Sequence, residues 1–130
     1  MSTLTARPGL DLRTALRVDG WSTGVFGVVM LGGAAALRDP LGLPTAWSIP
    51  FGVAMLGGAL ALLLVAGYPE ISARQGSAVV AVNAVSAVAM VLLAFSGVID
   101  LTGPGIVFML VGAAVVAVFA GLEYAGLRRG

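Results

Sequence analysis

The sequence predicts an all-α membrane protein, an antiparallel up-down bundle of four transmembrane helices joined by short loops. Of the 130 residues, 59% are hydrophobic and only 10% are charged, whereas about a quarter of the residues in a soluble domain are usually charged. The mean hydropathy is +1.06. Four long apolar segments alternate with short loops that contain proline, glycine and charge. We therefore expect a single domain over residues 1–130, with the lipid bilayer covering much of its surface.

The chain begins with a polar segment, residues 1–17, which contains three of the seven arginines. Leu12, Ala15 and Leu16 recur at helical spacing, which predicts a short helix lying on the membrane surface. The first apolar span follows at about residues 20–37. At roughly 1.5 Å per residue, it just crosses a hydrocarbon core of about 30 Å.

Three further apolar segments follow the first. The second span covers about residues 47–67, with Trp47 and Tyr68 at its ends, as expected for the aromatic belts of the two interfaces. Thr45 is positioned to cap this helix at its N-terminus. The remaining spans are predicted at residues 76–99 and 105–124.

Arginine is distributed unevenly between the two predicted sides of the membrane. Four spans place both termini on one side, together with the loop between the second and third spans. These three segments hold six of the seven arginines, and only Arg38 lies on the other side. The positive-inside rule therefore predicts a multi-pass protein of the plasma membrane with both termini in the cytoplasm.

Small residues recur at helical spacing within the spans. In a bilayer, helices associate where small side chains let their backbones approach closely. We expect helix packing at four such positions. The alternative use of the same faces is contact with a second copy or with a partner membrane protein. The four positions are Gly58, Ala113, Ala117 and Gly121.

The composition argues against several classes of function. The chain has no cysteine and no histidine, which removes disulfides, thiolate chemistry and the commonest metal ligand. A net charge of +1 gives no reason to expect nucleic-acid binding. No nucleophile, metal-ligand set or cofactor-binding loop is recognisable. We therefore expect a protein that is not an enzyme and that carries neither a metal nor a cofactor.

Asn83 is the most informative polar residue, because it lies about 10 Å inside the third predicted span. An amide left unpaired in hydrocarbon costs several kcal/mol, roughly the cost of a lost hydrogen bond without compensation. Asn83 is therefore expected to face another helix, a water-filled cavity or a ligand. A purely interhelical hydrogen bond is as plausible as a ligand-binding role.

Two acidic residues lie near the same membrane face as Asn83. Asp19 opens the first span, and Glu123 lies near the end of the fourth. With Asn83, they are predicted to converge on a polar vestibule at the cytoplasmic side, with Arg17 or Arg74 as counter-ion. The simpler alternative is that both carboxylates only reach headgroups or water. The full set of candidate ligand-binding residues is Asp19, Thr23, Asn83, Ser86 and Glu123.

Three stretches carry a resemblance to a known group, namely LRVDGWSTG at residues 16–24, VVAVNAVSAVA at 79–89 and VVAVFAGLEYAGLRR at 115–129. They resemble small four-span integral membrane proteins of actinobacteria, and this resemblance implies no particular activity. The chain is also similar in size and span number to small multidrug resistance transporters and to fluoride channels. It lacks the mid-span glutamate of those transporters and the glycine-rich and Thr-Thr-Phe-Ser signatures of those channels.

These observations lead to three hypotheses of function. The first is a membrane protein that binds or passes a small, largely apolar molecule within the bundle, oriented by Asn83. The second is an accessory or structural subunit that docks a partner, or a second copy, through its small-residue faces. The third is a proton-coupled exporter of small molecules, which is disfavoured because no acidic residue lies near the midplane of a span.

Overall fold

The computed structural model describes residues 11–129, which form five α-helices connected by short turns. Three of these helices, α3, α4 and α5, are each long and apolar enough to cross a membrane. The bent pair α1 and α2 makes a fourth span if it is counted as one. The helices are α1 (Leu12–Gly32), α2 (Ala34–Leu41), α3 (Thr45–Ala66), α4 (Ala73–Ser96) and α5 (Gly103–Arg129).

A bend of 84° at Gly33 separates α1 from α2. The Gly33 N–H donates to the Val29 carbonyl at 2.8 Å, and a Cβ at Gly33 would lie only 2.7 Å from that oxygen. The turn therefore leaves no room for a side chain at this position. The prediction of one continuous helix over residues 20–37 is wrong, because the chain turns sharply inside that segment.

The first helix begins earlier than predicted. The Asp11 side chain accepts a hydrogen bond from the Thr14 N–H at 2.8 Å and caps α1. Residues 12–17 are helical as predicted, and they form the first turns of α1, which continues through residues 18–32 without a break. Residues 1–10, the rest of that predicted segment, lie outside the described residues. With 21 residues, α1 is about 30 Å long.

The other helix ends differ from the predicted spans by a few residues, for local reasons. Pro44, not Thr45, is the residue that precedes α3, and no side chain caps that end. A capping box starts α4, in which Ser72 and Gln75 exchange hydrogen bonds between side chain and backbone. The same helix stops at Gly97, whose φ of 79° is left-handed.

Thr102 joins the end of α2 to the start of α5. Its hydroxyl donates to the Pro40 carbonyl at 2.7 Å and accepts from the Gly105 N–H at 3.1 Å. The Thr102 N–H donates to the Leu41 carbonyl at 3.0 Å. Gly105 lies so close to that carbonyl that a Cβ at Gly105 would collide with it. The junction therefore depends on glycine at this position.

The long helices pack as two pairs. The first helix packs chiefly against α3, α4 packs chiefly against α5, and α1 joins the pairs through α5. The first pair comes closest at Gly27 and Gly52, where a Cβ at Gly27 would lie 3.1 Å from the Gly52 carbonyl oxygen. Close approach between helices thus occurs at glycines, as expected for packing in a bilayer.

Arg13 ties the start of α1 to the end of α3. Its guanidinium donates to the carbonyl oxygens of Ala66, Tyr68 and Pro69, the last two at 2.6 Å and 3.1 Å. The last carbonyls of a helix have no partner within that helix and carry its negative dipole end. Arg13 therefore serves as a C-terminal cap supplied by a neighbouring helix, a role that the sequence analysis did not anticipate.

The predicted small-residue contacts are only partly present within the chain. Ala113 is buried, whereas Gly58, Ala117 and Gly121 lie on the exposed surface. No atom lies within 4 Å of a Cβ built at Gly58 or at Gly121. As intrachain packing positions, these three predictions are wrong, because the spacing that defines a small-residue stripe does not specify which way the stripe faces.

We expect Gly105→Ala to destabilise the fold and Gly58→Ala, its matched control, to leave it intact. The first change forces the α2–α5 junction apart, at a cost of about 1–3 kcal/mol. The second fills open space in a helix, where alanine is favoured over glycine by up to about 1 kcal/mol. Unfolding of both variants by sodium dodecyl sulfate in maltoside micelles, followed by circular dichroism, gives the two free energies. Equal stability of the two variants would contradict the described junction.

Candidate functional site

Asn83 lies on the narrow face along which α4 is packed. Gly76, Ala87 and Ala94 are buried on this face, and together with Asn83 they follow one another at spacings of seven, four and seven residues. The opposite side of α4 is exposed along most of its length. The position of Asn83 in the sequence therefore directs its amide toward α1 and α5.

The Asn83 side chain joins three helices. Its Nδ2 atom donates to Oδ2 of Asp19 on α1 at 2.9 Å and to Oε1 of Glu123 on α5 at 2.6 Å. The Thr23 hydroxyl, one turn beyond Asp19, donates to the other Asp19 oxygen at 3.0 Å. Asp19, Thr23, Asn83 and Glu123 are called the acid–amide cluster below. Four of the five candidate residues from the sequence therefore come together.

Ser86 is the fifth candidate, and it does not join the cluster. It lies one turn from Asn83 and is half-buried, but its hydroxyl makes no hydrogen bond with another described residue. Its position on the helix places it beside the cluster without a contact to the acidic side chains.

Both acidic side chains are buried. Asp19 is 4% exposed and Glu123 is 0% exposed. The predicted convergence of Asp19, Asn83 and Glu123 is present, but the polar vestibule is closed to water in the described chain. The alternative in which the two carboxylates reach headgroups or water is wrong, because both are buried.

An apolar layer closes the end of the bundle next to the cluster. Leu16, one turn before Asp19, is fully buried with Leu62 and Ala66. At the same end, a Cβ at Gly126 would lie 2.7 Å from the backbone nitrogen of Leu12. This close approach of helix ends, together with the leucines, separates the carboxyl groups from water at that end.

Within the described part of the chain, no arginine side chain compensates the two acids. Arg17 and Arg74, the predicted counter-ions, are exposed and form no ion pair or hydrogen bond with the cluster. That prediction is wrong, because both side chains project away from the packed faces of their helices. Asp19 and Glu123 therefore have only neutral donors within the described chain.

Glu123 also has an unused oxygen. Its Oε1 atom accepts from Asn83, but its Oε2 atom is buried and has no hydrogen-bond partner among the described residues. Buried polar atoms are nearly always paired, so an orphaned carboxyl oxygen indicates either an unfilled binding position or a cost to stability. It is the carboxyl oxygen of the cluster that accepts no hydrogen bond from any described residue.

A separate groove lies on the outer surface of α4. Its volume is about 350 Å³, it is widely open, and apolar residues line it. These residues lie on the opposite face of the helix from Asn83, since successive residues turn by about 100°. The groove therefore does not contain the acid–amide cluster. Its lining residues are Ala84, Val85, Val88, Ala89 and Leu92.

Comparison of the chain with protein-family models, with curated proteins and with solved structures found no match in any of the three. The chemistry of the site therefore rests on its geometry alone. That geometry offers acidic acceptors and one amide in an apolar, water-poor setting.

We expect Asn83→Leu to destabilise the protein by about 2–5 kcal/mol, because two buried carboxyl groups would lose their shared donor. The matched control is Ser86→Ala on the same face of α4, which removes a hydroxyl without a partner. This control should change the free energy of unfolding by less than about 0.5 kcal/mol. Equilibrium unfolding in mixed micelles measures both. A leucine variant as stable as the unsubstituted chain would contradict the bridging role of Asn83.

Proposed function

We propose that this chain is a non-enzymatic, multi-pass protein of the plasma membrane that binds or passes a small, largely apolar molecule. In this proposal, the polar end of the molecule lies at the acid–amide cluster and is oriented by Asn83. The observation that carries the proposal is the Glu123 carboxyl group, which is wholly buried and has one oxygen without a protein partner. Ionisable groups at membrane depth are costly and usually functional.

The proposal includes a four-span bundle, with α1 and α2 counted as the first span. At about 30 Å, α1 alone has the length of a hydrocarbon core. Two charged residues of α1 have hydrogen-bond partners within the protein, as suits a helix that spans the membrane. Arg13 binds carbonyl oxygens near one end, and Asp19 lies buried in the cluster. The short α2, with its exposed Arg38–Asp39 ion pair, would then lie at the opposite interface.

Access to the cluster is best supported from the side of the bundle. Asp19 and Glu123 are buried, whereas Thr23 on α1 and Asn83 on α4 are only half-buried. These two helices are not one of the closely packed pairs, since α1 packs chiefly with α3 and α4 with α5. A largely apolar molecule would enter between α1 and α4 from the lipid, where its apolar part is already soluble.

The proposal predicts that small amphiphilic probes stabilise the protein in detergent and that Asn83→Leu abolishes this effect. Hexylammonium, hexan-1-ol and hexanoate share one tail and differ in the polar end. At least one of them should raise the Tm of the unsubstituted chain. The control is Gly58→Ala, on an exposed helix face far from Asn83 in the chain, which should respond normally.

Unchanged stabilisation in Asn83→Leu would contradict the proposed binding site. The second candidate function, docking of a partner through Gly58, Ala117 and Gly121, would then be favoured, because these small residues are exposed. Cross-linking in native membranes would have to reveal that partner or a second copy. A partnerless monomer would rule out docking as well.

The proposed orientation places both termini and the α3–α4 loop in the cytoplasm, in agreement with the arginine distribution. Because the chain has no cysteine, single cysteines report on topology without background. In intact cells, an impermeant maleimide should label Asp100→Cys in the α4–α5 loop. It should label Glu70→Cys in the α3–α4 loop only after permeabilisation. The reverse pattern would invert the proposed orientation, and labelling of both would contradict four spans.

A further inference from the structure

We propose that the acid–amide cluster selects a positively charged ligand, a monovalent organic cation with an ammonium group on a short apolar tail. This inference rests on the proposed function, since it names the charge of the polar end that binds at Asn83. It follows from the balance of charge inside the bundle and from the acceptors that the cluster leaves free.

Among the side chains that the structure describes, none on the helices packed around the cluster gives its two acids a positive partner. Arg13 is engaged with backbone carbonyls, and Arg17 and Arg74 are exposed. Arg128, in the last turns of α5, is exposed and bonds to Tyr124. No charged residue occurs in α3. A buried carboxylate is very costly unless a positive charge or several donors compensate it, and an acid without such a partner is held in its neutral, protonated form. A bound cation would supply the missing charge.

The free acceptors match an ammonium group better than a neutral or an anionic group. Oε2 of Glu123 has no donor, and each of the three other carboxyl oxygens accepts a single hydrogen bond. A carboxylate oxygen can accept more than one hydrogen bond, so several lone pairs remain. An ammonium group brings three donors and a full charge, whereas a hydroxyl brings one donor and no charge. A ligand that carried a carboxylate would be repelled by the two acids of the cluster.

The number of acids in the cluster also favours a monovalent cation. Among the described residues, no group of three or more histidine, cysteine, aspartate or glutamate side chains is close enough to hold a metal ion. Divalent cations such as calcium usually need six to eight oxygen ligands, many of them carboxylates or waters. Two carboxyl groups, one hydroxyl and one amide in an apolar setting suit a single charge with directional N–H donors.

The burial of the cluster implies that the ligand has an apolar tail. Leu16, Leu62 and Ala66 close the end nearest the cluster, so the open direction lies between α1 and α4 toward the lipid. A cation that arrives from that direction needs an apolar portion in order to be concentrated there. A bare ion arriving from water would have to pass the leucine layer.

The experiment distinguishes the effect of the ligand's charge from the effect of its apolar tail. It uses the full chain in an uncharged maltoside detergent at constant ionic strength. Three probes are compared by thermal unfolding, with the tryptophan fluorescence of Trp21 and Trp47 as signal: ammonium (charge only), hexan-1-ol (tail only) and hexylammonium (both). The expected result is a rise in Tm with hexylammonium at concentrations where the other two have little effect. Its apparent affinity should exceed that of the alcohol by about tenfold or more, equivalent to about 1.4 kcal/mol.

The other outcomes overturn the selection of a cation, the binding of a largely apolar molecule, or both. Equal stabilisation by hexan-1-ol and hexylammonium overturns the selection of a cation and leaves the proposed function standing. Equal stabilisation by ammonium and hexylammonium supports charge selection and overturns the binding of an apolar molecule. No stabilisation by any of the three overturns the selection of a cation, and it overturns the proposed function as well when hexanoate also fails to raise the Tm.

Variants localise the effect to the cluster. Glu123→Gln keeps the shape of the side chain and removes its charge, so hexylammonium should bind about tenfold more weakly or worse. Glu70→Gln, which changes an exposed loop acid, should bind hexylammonium as the unsubstituted chain does. Unchanged binding in a folded Glu123→Gln would overturn the proposal. If that variant does not fold, the comparison of the three probes on the unsubstituted chain still shows whether the protein selects a cation.

Discussion

One side-chain amide organises the middle of this molecule. The two N–H groups of Asn83 bind one carboxyl oxygen from α1 and one from α5, so a single residue of α4 fixes the rotation of three helices. Buried polar groups that lose their partners are costly, which makes the wrong rotation of any of these helices unfavourable. Apolar contacts alone discriminate poorly between rotations in lipid, because lipid tails are as apolar as the helix faces.

The same bridge leaves the cluster chemically incomplete. One amide provides two donors, whereas Asp19 and Glu123 together present four carboxyl oxygens, and Thr23 satisfies only one more of them. The remaining oxygen, Oε2 of Glu123, is buried without a partner. Arginines occur nearby in sequence but point to the surface or to backbone carbonyls. A site with excess acceptors and no cation among the described side chains, bordered by an apolar layer, is suited to a ligand that brings positive charge and an apolar tail.

Much of this could be predicted from the sequence because polar residues are rare in its apolar segments. An amide inside a span must have a hydrogen-bond partner. Asp19 and Glu123, at the ends of other spans on the same side of the membrane, are the acidic residues that the sequence places near Asn83. The bend at Gly33 could not be predicted, since Gly32 and Gly33 are equally compatible with a straight span. The exposure of Gly58 could not be predicted either. A glycine that packs against another helix and a glycine that faces lipid occur in the same local sequence pattern. The burial of both acids beside leucines of α1 and α3 is a tertiary property that local sequence does not specify.

The bridge can be observed directly, because Asn83 is the only asparagine in the chain. Selective ¹⁵N labelling of asparagine, with ¹³C labelling of aspartate and glutamate carboxyl groups, isolates the relevant atom pairs in lipid bilayers. Solid-state NMR dipolar recoupling should place the side-chain nitrogen within hydrogen-bonding range of one aspartate carboxyl and one glutamate carboxyl. Substitution of Asp19 or Glu123 should remove the matching coupling. The absence of coupling to both carboxyl groups in the folded protein would contradict the bridge and the binding site proposed around it.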